Sequence, residues 1–373
     1  MKILFTGGGT GGHIFPIIAI AREIKRFSSK QIELLFLGPK DELGGQLLSE
    51  EGIKRRTIWA GKIRRYLSPQ AIFLNIVDAF KLLIGFFEAF FWLFLEDPDL
   101  VFSKGGYGAV PVVLAAKILQ IPIFLHESDI VPGMANRIAA KIAIEIFVSF
   151  PQTQHFDPKK IIVVGNPVRK QIPGGSIYEA KKLLNLSEKK PVVLILGGSQ
   201  GAQKINDLLL IILPELLPEF EVLHQCGKKN LKQVQAEAKV VVPKVLERYY
   251  HLFAFLNERQ LSQAYFAADI IVARAGASNI FEIAACAKPS ILIPYSHAAQ
   301  NHQLRNAYDY AENGASLVIE EANLTPYFFL ERLKFLISMP NELRKMSEAA
   351  KDFSRPKAAE LIAHYLIEYL EMG

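Results

Sequence analysis

Two glycine-rich loops, each set between a short apolar run and a helical pattern, constrain this chain more than any other feature. Gly7-Gly8-Gly9-Thr10-Gly11-Gly12 follows the run at 2–6, and Gly197-Gly198-Ser199-Gln200-Gly201-Ala202 follows the run at 191–196. Glycines in that position let backbone N–H groups approach an oxyanion, and the helix start adds partial positive charge. Each half then repeats the device in a small-residue loop: Ser103-Lys104-Gly105-Gly106-Tyr107-Gly108-Ala109 in one, Ala273-Arg274-Ala275-Gly276-Ala277-Ser278 in the other. This shared punctuation is harder to obtain by chance than alternation of strands and helices.

Short apolar runs at 33–37, 100–103, 121–125, 144–150 and 161–164 extend the first half. Runs at 221–223, 269–273, 290–294 and 316–319 extend the second. Strands apolar on both faces imply parallel sheets covered by helices. At 373 residues the chain exceeds one ordinary core, so two doubly wound Rossmann-like α/β domains are expected, facing each other across a cleft. The division places one domain at 1–165, a second at 166–350, and a closing helix at 351–373 whose packing partner the sequence does not reveal. A Gly- and Pro-rich hinge is read at 165–175. Cys226 and Cys286 are far apart and lack the spacing of a metal or redox pair, so they read as small core residues in a reducing compartment.

Residues 71–95 break the pattern. They carry Asn75, Asp78, Lys81 and Glu88 as their strongly polar members, which gather on one side of a helix and leave a wide apolar face. No uncharged stretch reaches the ~18 residues of a spanning helix. Arg55, Arg56, Lys62, Arg64 and Arg65 lie just upstream, and docking on an acidic membrane surface is preferred to burial alone. The formal charge of +6 asks for an anionic partner, whether phosphate ligand, nucleic acid or acidic lipid. The N-terminal apolar run is too short for a secretory signal.

Gly7, Gly9 and Gly12 also satisfy the dinucleotide GxGxxG spacing, the best case for a nicotinamide oxidoreductase. That reading lacks the acidic residue expected at the end of the second strand. A better ribose ligand is Glu282, on the second turn of the helix opened by Ala275-Gly276-Ala277-Ser278-Asn279-Ile280-Phe281.

Ordered stretches along nearly the whole chain resemble the MurG family of bacterial transferases. They are Gly8 to His13 with Pro16, Gly105-Gly106-Tyr107, His126-Glu127, Gly165-Asn166-Pro167-Val168-Arg169, Gly197 to Ala202, Arg274-Ala275-Gly276-Ala277 with Glu282, and Gln303 with Asn306-Ala307. The resemblance implies a B-type glycosyltransferase fold. It implies inverting transfer of N-acetylglucosamine from UDP-N-acetylglucosamine to lipid I, giving lipid II for peptidoglycan. By that carry-over Thr10, Gly11, Gly12, Asp129, Arg169, Ser199, Leu256, Ala277, Ser278, Asn279, Ile280, Phe281, Glu282 and Gln303 bind the donor, with Leu256 offering backbone to uracil. Tyr107 and Asn136 would meet the acceptor. The implied place is the cytoplasmic face of the bacterial inner membrane, held peripherally, with other cell-wall proteins as partners and no nucleic acid. Where the family commonly reads His-Glu-Gln-Asn, this chain has His126-Glu127-Ser128-Asp129; Asp129 loses an amide donor and adds a charge.

Displacement of UDP needs a base for the acceptor hydroxyl and positive groups for the departing diphosphate. His13 and Glu127 are the candidates for the base, His13 being favoured narrowly for its ordinary pKa. No carboxylate pair sits in either glycine loop as a metal clamp, so no cofactor is required, though Mg²⁺ could enter with substrate. Rival readings are a UDP-sugar:diacylglycerol glycosyltransferase, an NAD(P)-dependent oxidoreductase and a non-catalytic binding protein.

Overall fold

The structure, a computed structural model, describes every residue except 9, 10, 63–67, 175, 188, 199, 200 and 373, and every side chain except theirs and those at 43, 69 and 71. Its contacts divide the chain into two units, Met1–Arg169 with Pro356–Gly373, and Lys170–Arg355. The first holds strands β1 (Lys2–Thr6), β2 (Glu33–Gly38), β3 (Lys54–Thr57), β4 (Leu100–Ser103), β5 (Ile123–Glu127), β6 (Glu145–Val148) and β7 (Ile161–Val163). Its helices are α1 (Gly11–Phe27), α2 (Glu42–Glu50), α3 (Pro69–Glu96), α4 (Val110–Ile118) and α5 (Met134–Ile142). The second unit holds β8 (Val192–Leu196), β9 (Glu221–Gln225), β10 (Tyr250–Phe253), β11 (Ile270–Ala273), β12 (Ser290–Leu292) and β13 (Ser316–Val318). Its helices are α6 (Ile177–Leu184), α7 (Gln203–Leu216), α8 (Leu231–Val241), α9 (Glu258–Ala267), α10 (Ala277–Ala285), α11 (His302–Glu312), α12 (Pro326–Ile337) and α13 (Pro340–Phe353). A last helix, α14 (Ala358–Met372), belongs to the first unit.

Both sheets are parallel, in the orders β3-β2-β1-β4-β5-β6-β7 and β10-β9-β8-β11-β12-β13. Each order reverses direction beside its first strand, between β1 and β4 and between β8 and β11. At such a switch point neighbouring loops diverge and leave a crevice outside the carboxyl ends of the strands. The four small-residue loops of the sequence lie at these ends.

Two edge strands, β3 and β10, lie outside the runs read in the sequence. The first reads Lys-Arg-Arg-Thr, as an edge strand that lacks one neighbour can keep polar residues, and the second, Tyr-His-Leu-Phe, is half-buried throughout. The partners of Arg55 and Arg56 correct their reading as membrane-facing charges. Arg55 donates to the Asp41 carbonyl at 2.9 Å and the Pro39 carbonyl at 3.1 Å. Arg56 pairs with Glu96 at 3.0 Å and lies over Trp92. Arg64 and Arg65 lie outside the described residues.

The closing helix has a partner in α1. Ala359, Ile362, Ala363 and Leu366 share a core with Ile14, Ile17, Ile18 and Phe124, and Tyr369 meets the Phe124 ring edge-on at 4.9 Å. Each buried Ile or Leu in this seam contributes about 1.5–3 kcal/mol, which ties the chain's end to its beginning. The unit boundaries at 169/170 and 355/356 differ by a few residues from those read in the sequence.

Helix α3 has its amphipathicity inverted. Asp78 is buried, Glu88 accepts from the Trp59 amide at 2.7 Å, and Glu96 takes Lys54 and Arg56. Gly85 lies so close to the Trp59 carbonyl that a Cβ would approach it to 1.8 Å. The opposite face presents Phe73, Ile76, Phe80, Leu83, Phe87, Phe91 and Phe94, each more than half exposed. Among the described residues no helix is long and apolar enough to cross a membrane.

Candidate functional site

In the first unit the glycines bring backbone against backbone. Gly8 N–H donates to the Gly105 carbonyl at 2.8 Å, and Lys104 N–H to the Thr6 carbonyl at 2.8 Å. Gly105 and Gly106 take φ of +84° and +81°, where side chains are strained. A Cβ on Gly106 would come within 3.0 Å of both the Gly8 backbone and His13 Nε2. One on Gly105 would reach 1.9 Å from Asn136 Oδ1, so this glycine makes room for Asn136.

Asn136 uses that room to donate Nδ2–H to Glu127 Oε2 at 2.7 Å, while the Asp129 amide donates to Glu127 Oε1 at 2.9 Å. Glu127, at the carboxyl end of β5, is 3% exposed. Burial first, then the Asp129 charge, push its pKa up to about 7 against the pull of these hydrogen bonds and of Lys104. Lys104 is equally buried and donates to Ser128 Oγ, which donates to Asn166 Oδ1 at 2.9 Å. Desolvation brings this ammonium down to about 8.

His13 retains some exposed surface, yet its imidazole is enclosed. Burial, then the Lys104 charge, hold its pKa down to about 3, against a raising hydrogen bond with the Gly8 backbone. It is therefore a neutral imidazole near pH 7. His126 is fully buried with Nε2 at 3.1 Å from the Gly165 carbonyl. Tyr107 is half-buried with the Lys62 ammonium over its ring at 4.9 Å. Arg169 stacks on Phe15 at 4.0 Å. Gly11 and Gly12 open α1; Thr10 lies outside the described residues, as does Ser199 in the second unit.

In the second unit two glycines border open space. Gly276 precedes α10 without a side-chain cap, and a Cβ on it would meet nothing within 4 Å. Gly198 is equally clear, at a φ of +79°. Ala277 and Ser278 start the helix, so their amides are among the N–H groups that lack an intrahelical partner. Asn279 Nδ2 braces the loop by donating to the Arg274 carbonyl at 3.1 Å. Ile280 and Phe281 turn into the core, and the Ile280 amide is already bonded to the Gly276 carbonyl at 3.1 Å. Neither offers a side chain to a ligand.

Glu282 is 7% exposed and accepts from Tyr265 Oη at 3.2 Å, so it is no solvated surface carboxylate. The Leu256 amide donates to Gln225 Oε1 at 2.9 Å; the N–H expected to face a base is engaged inside the unit. Gln303 Oε1 accepts from the Tyr295 amide at 3.0 Å. It follows Gln300 and Asn301, two successive non-glycine residues at φ of +56° and +54°, a turn strained enough to fix where α11 begins.

Behind α10 lies a network absent from the sequence reading. Arg274 Nη2 meets Glu321 Oε1 at 2.6 Å and Nη1 donates to the Ile293 carbonyl at 3.1 Å. Burial alone would raise the Glu321 pKa, but bonds from Ser296 and the Arg274 charge hold it at about 2. Lys104, Ser128 and Asn166 went equally unassigned, although a lysine directly after a buried strand and inside a glycine loop was a visible signal. Among the described residues no group of three or more His, Cys, Asp or Glu gathers as a metal site.

Residues 3–148 match the glycosyltransferase family 28 N-terminal domain and residues 192–362 its C-terminal domain. A UDP-N-acetylglucosamine--N-acetylmuramyl-(pentapeptide) pyrophosphoryl-undecaprenol N-acetylglucosamine transferase of Clostridium tetani is 38% identical over 90% of this chain and 89% of its own. A Clostridium botulinum protein of the same name is 35% identical over 98% and 99%. The crystal structure of Acinetobacter baumannii MurG covers 99% of both chains at 26% identity, with a TM-score of 0.73. Two Rossmann-like domains with parallel sheets, switch-point glycine loops and full-length likeness agree: the chain belongs to glycosyltransferase family 28 and, within it, to the MurG transferases.

Proposed function

We infer that the chain transfers N-acetylglucosamine from UDP-N-acetylglucosamine to lipid I, undecaprenyl-pyrophosphoryl-N-acetylmuramyl-pentapeptide, in a single inverting displacement that yields lipid II. The observation that carries this reading is the open, uncapped start of α10 with buried Glu282 one turn further on. N–H groups there can take the donor's diphosphate and stabilise charge on departing UDP, while the carboxylate accepts ribose hydroxyls. Gln303 Nε2 is assigned to the sugar hydroxyls.

Glu127 is assigned as the base. A carboxylate near pKa 7 is matched to proton abstraction at neutrality, whereas an imidazole near 3 is a weak acceptor. This reverses the preference for His13, which is given the role of a neutral hydrogen-bond donor beside the glycine loop. Asn136 orients Glu127 rather than touching the acceptor. Positive charge and helix dipoles serve the diphosphate without a required metal.

The exposed Phe and Ile stripe of α3 supports peripheral docking on the cytoplasmic membrane surface. Each inserted Phe contributes up to about 1.5–3 kcal/mol. Replacing Phe80 and Phe87 by Asp should abolish cosedimentation with acidic vesicles while UDP binding persists; retained cosedimentation would sink the docking assignment.

The function is tested by incubating labelled UDP-N-acetylglucosamine, UDP-glucose or UDP-galactose with lipid I or diacylglycerol. Transfer of N-acetylglucosamine to lipid I, lost with Glu282→Gln through a higher donor KM, is expected. Glucose or galactose transfer to diacylglycerol would replace this reading with the rival lipid-glycosylation one.

A further inference from the structure

The first unit buries three charged groups in one place, at the carboxyl ends of β4 and β5. Lys104 and Glu127 are 2% and 3% exposed, and Asp129 is partly buried beside them. The charges of both carboxylates act on one ammonium, which is tied by its hydrogen bond to Ser128 and through it to Asn166. The Asp129 amide and Asn136 fix both oxygens of Glu127. The carboxylate can therefore respond to its neighbours' charges with little movement of its own.

We propose that Lys104 is a positioning residue for transfer: its buried ammonium, anchored on Ser128, offsets the Asp129 charge and keeps Glu127 able to accept the proton of the attacking hydroxyl. This rests on Glu127 being the base. Lys104 is the cation whose charge acts on Glu127, and other groups surround the pair. From α1 the group is His13, neutral near pH 7; from β5 it is His126, buried and neutral, with its pKa pushed well below the ordinary value by burial and then by Lys104. From α5 they are the uncharged Asn136 and Arg137, whose Nε donates to the Pro132 carbonyl at 3.1 Å. Arg169 is stacked on Phe15. Burial drives Lys104 down and Glu127 up, while the attraction between the two opposes both shifts.

The test compares Lys104→Met, Asp129→Asn and the double variant, in the full-length enzyme with UDP-N-acetylglucosamine and lipid I. A base that must be ionised makes kcat/KM rise with pH through its pKa. Removing the cation should move that acidic limb up by about one to three pH units; removing the anion should move it down. The double variant should return it toward the wild-type position, a rescue that a merely structural lysine would not give. The carboxyl ¹³C resonance of Glu127, assigned by its absence in Glu127→Gln, supplies a readout independent of turnover. Opposite shifts of resonance and limb in the single variants support the proposal. A Glu127 resonance unmoved by either single variant, or a double variant no closer to wild type than Lys104→Met, overturns it. A resonance that follows the charges while the limb stays fixed overturns Glu127 as the base and leaves the Lys104 contact standing.

Discussion

The two glycine loops share a grammar and differ in what lies beneath them. In the first unit the loop after β1 is packed against the loop after β4, Gly8 against Gly106, and near them lie Lys104, Glu127, Asp129 and two neutral imidazoles. In the second unit Gly198 and Gly276 border open space among the described residues, and the ion pair of Arg274 with Glu321 lies behind the helix start. On the proposed function, one loop holds a titrating carboxylate and the other receives an anion on backbone amides. The same backbone device would then serve proton transfer or phosphate binding according to which charges the next strand end supplies.

The largest effect that could break this contrast is on rate. Glu127→Gln should lower kcat by about 10²–10⁴ with UDP affinity unchanged, measured by turnover and by calorimetry with UDP. A variant that keeps substantial turnover would remove the catalytic half of the comparison. Next in size, Arg274→Met leaves buried Glu321 without its closest cation, and unit 2 should lose about 3 kcal/mol in urea unfolding. A loss near zero would make the network ornamental.

The loops themselves sharpen the contrast at smaller cost. Gly106→Ala meets the Gly8 backbone and His13 at 3.0 Å as well as a φ of +81°, so about 2–3 kcal/mol is expected. Gly198→Ala meets nothing within 4 Å at a φ of +79°, and about 1 kcal/mol should suffice. Equal losses would show that the second loop is no more open than the first. The contrast also predicts a pH dependence. Glu127 has its pKa raised from 4.5 to about 7, so its contribution to stability is complete below pH 4.5 and is lost as pH rises through 7. Wild type should therefore lose stability relative to Glu127→Gln across that window, and a difference independent of pH would contradict the burial assigned to this carboxylate.

The sequence by itself determined the two parallel sheets and the glycine loops, because a strand buried on both faces must be apolar throughout and a loop that presses backbone on backbone must lack side chains. Runs such as 2–6 and 100–103 coincide with β1 and β4 for that reason. Edge strand β3 escaped it, since an edge needs no apolar run. Only the tertiary structure decided which charges are buried together. Lys104, Glu127, Asp129 and Asn136 come from three segments, and their pKa values follow from desolvation and distance, which no spacing in the chain encodes. It decided, too, that the polar stripe of α3 turns inward and Phe73, Phe80, Phe87, Phe91 and Phe94 outward, because a helical wheel gives two faces but not the one the rest of the unit will cover.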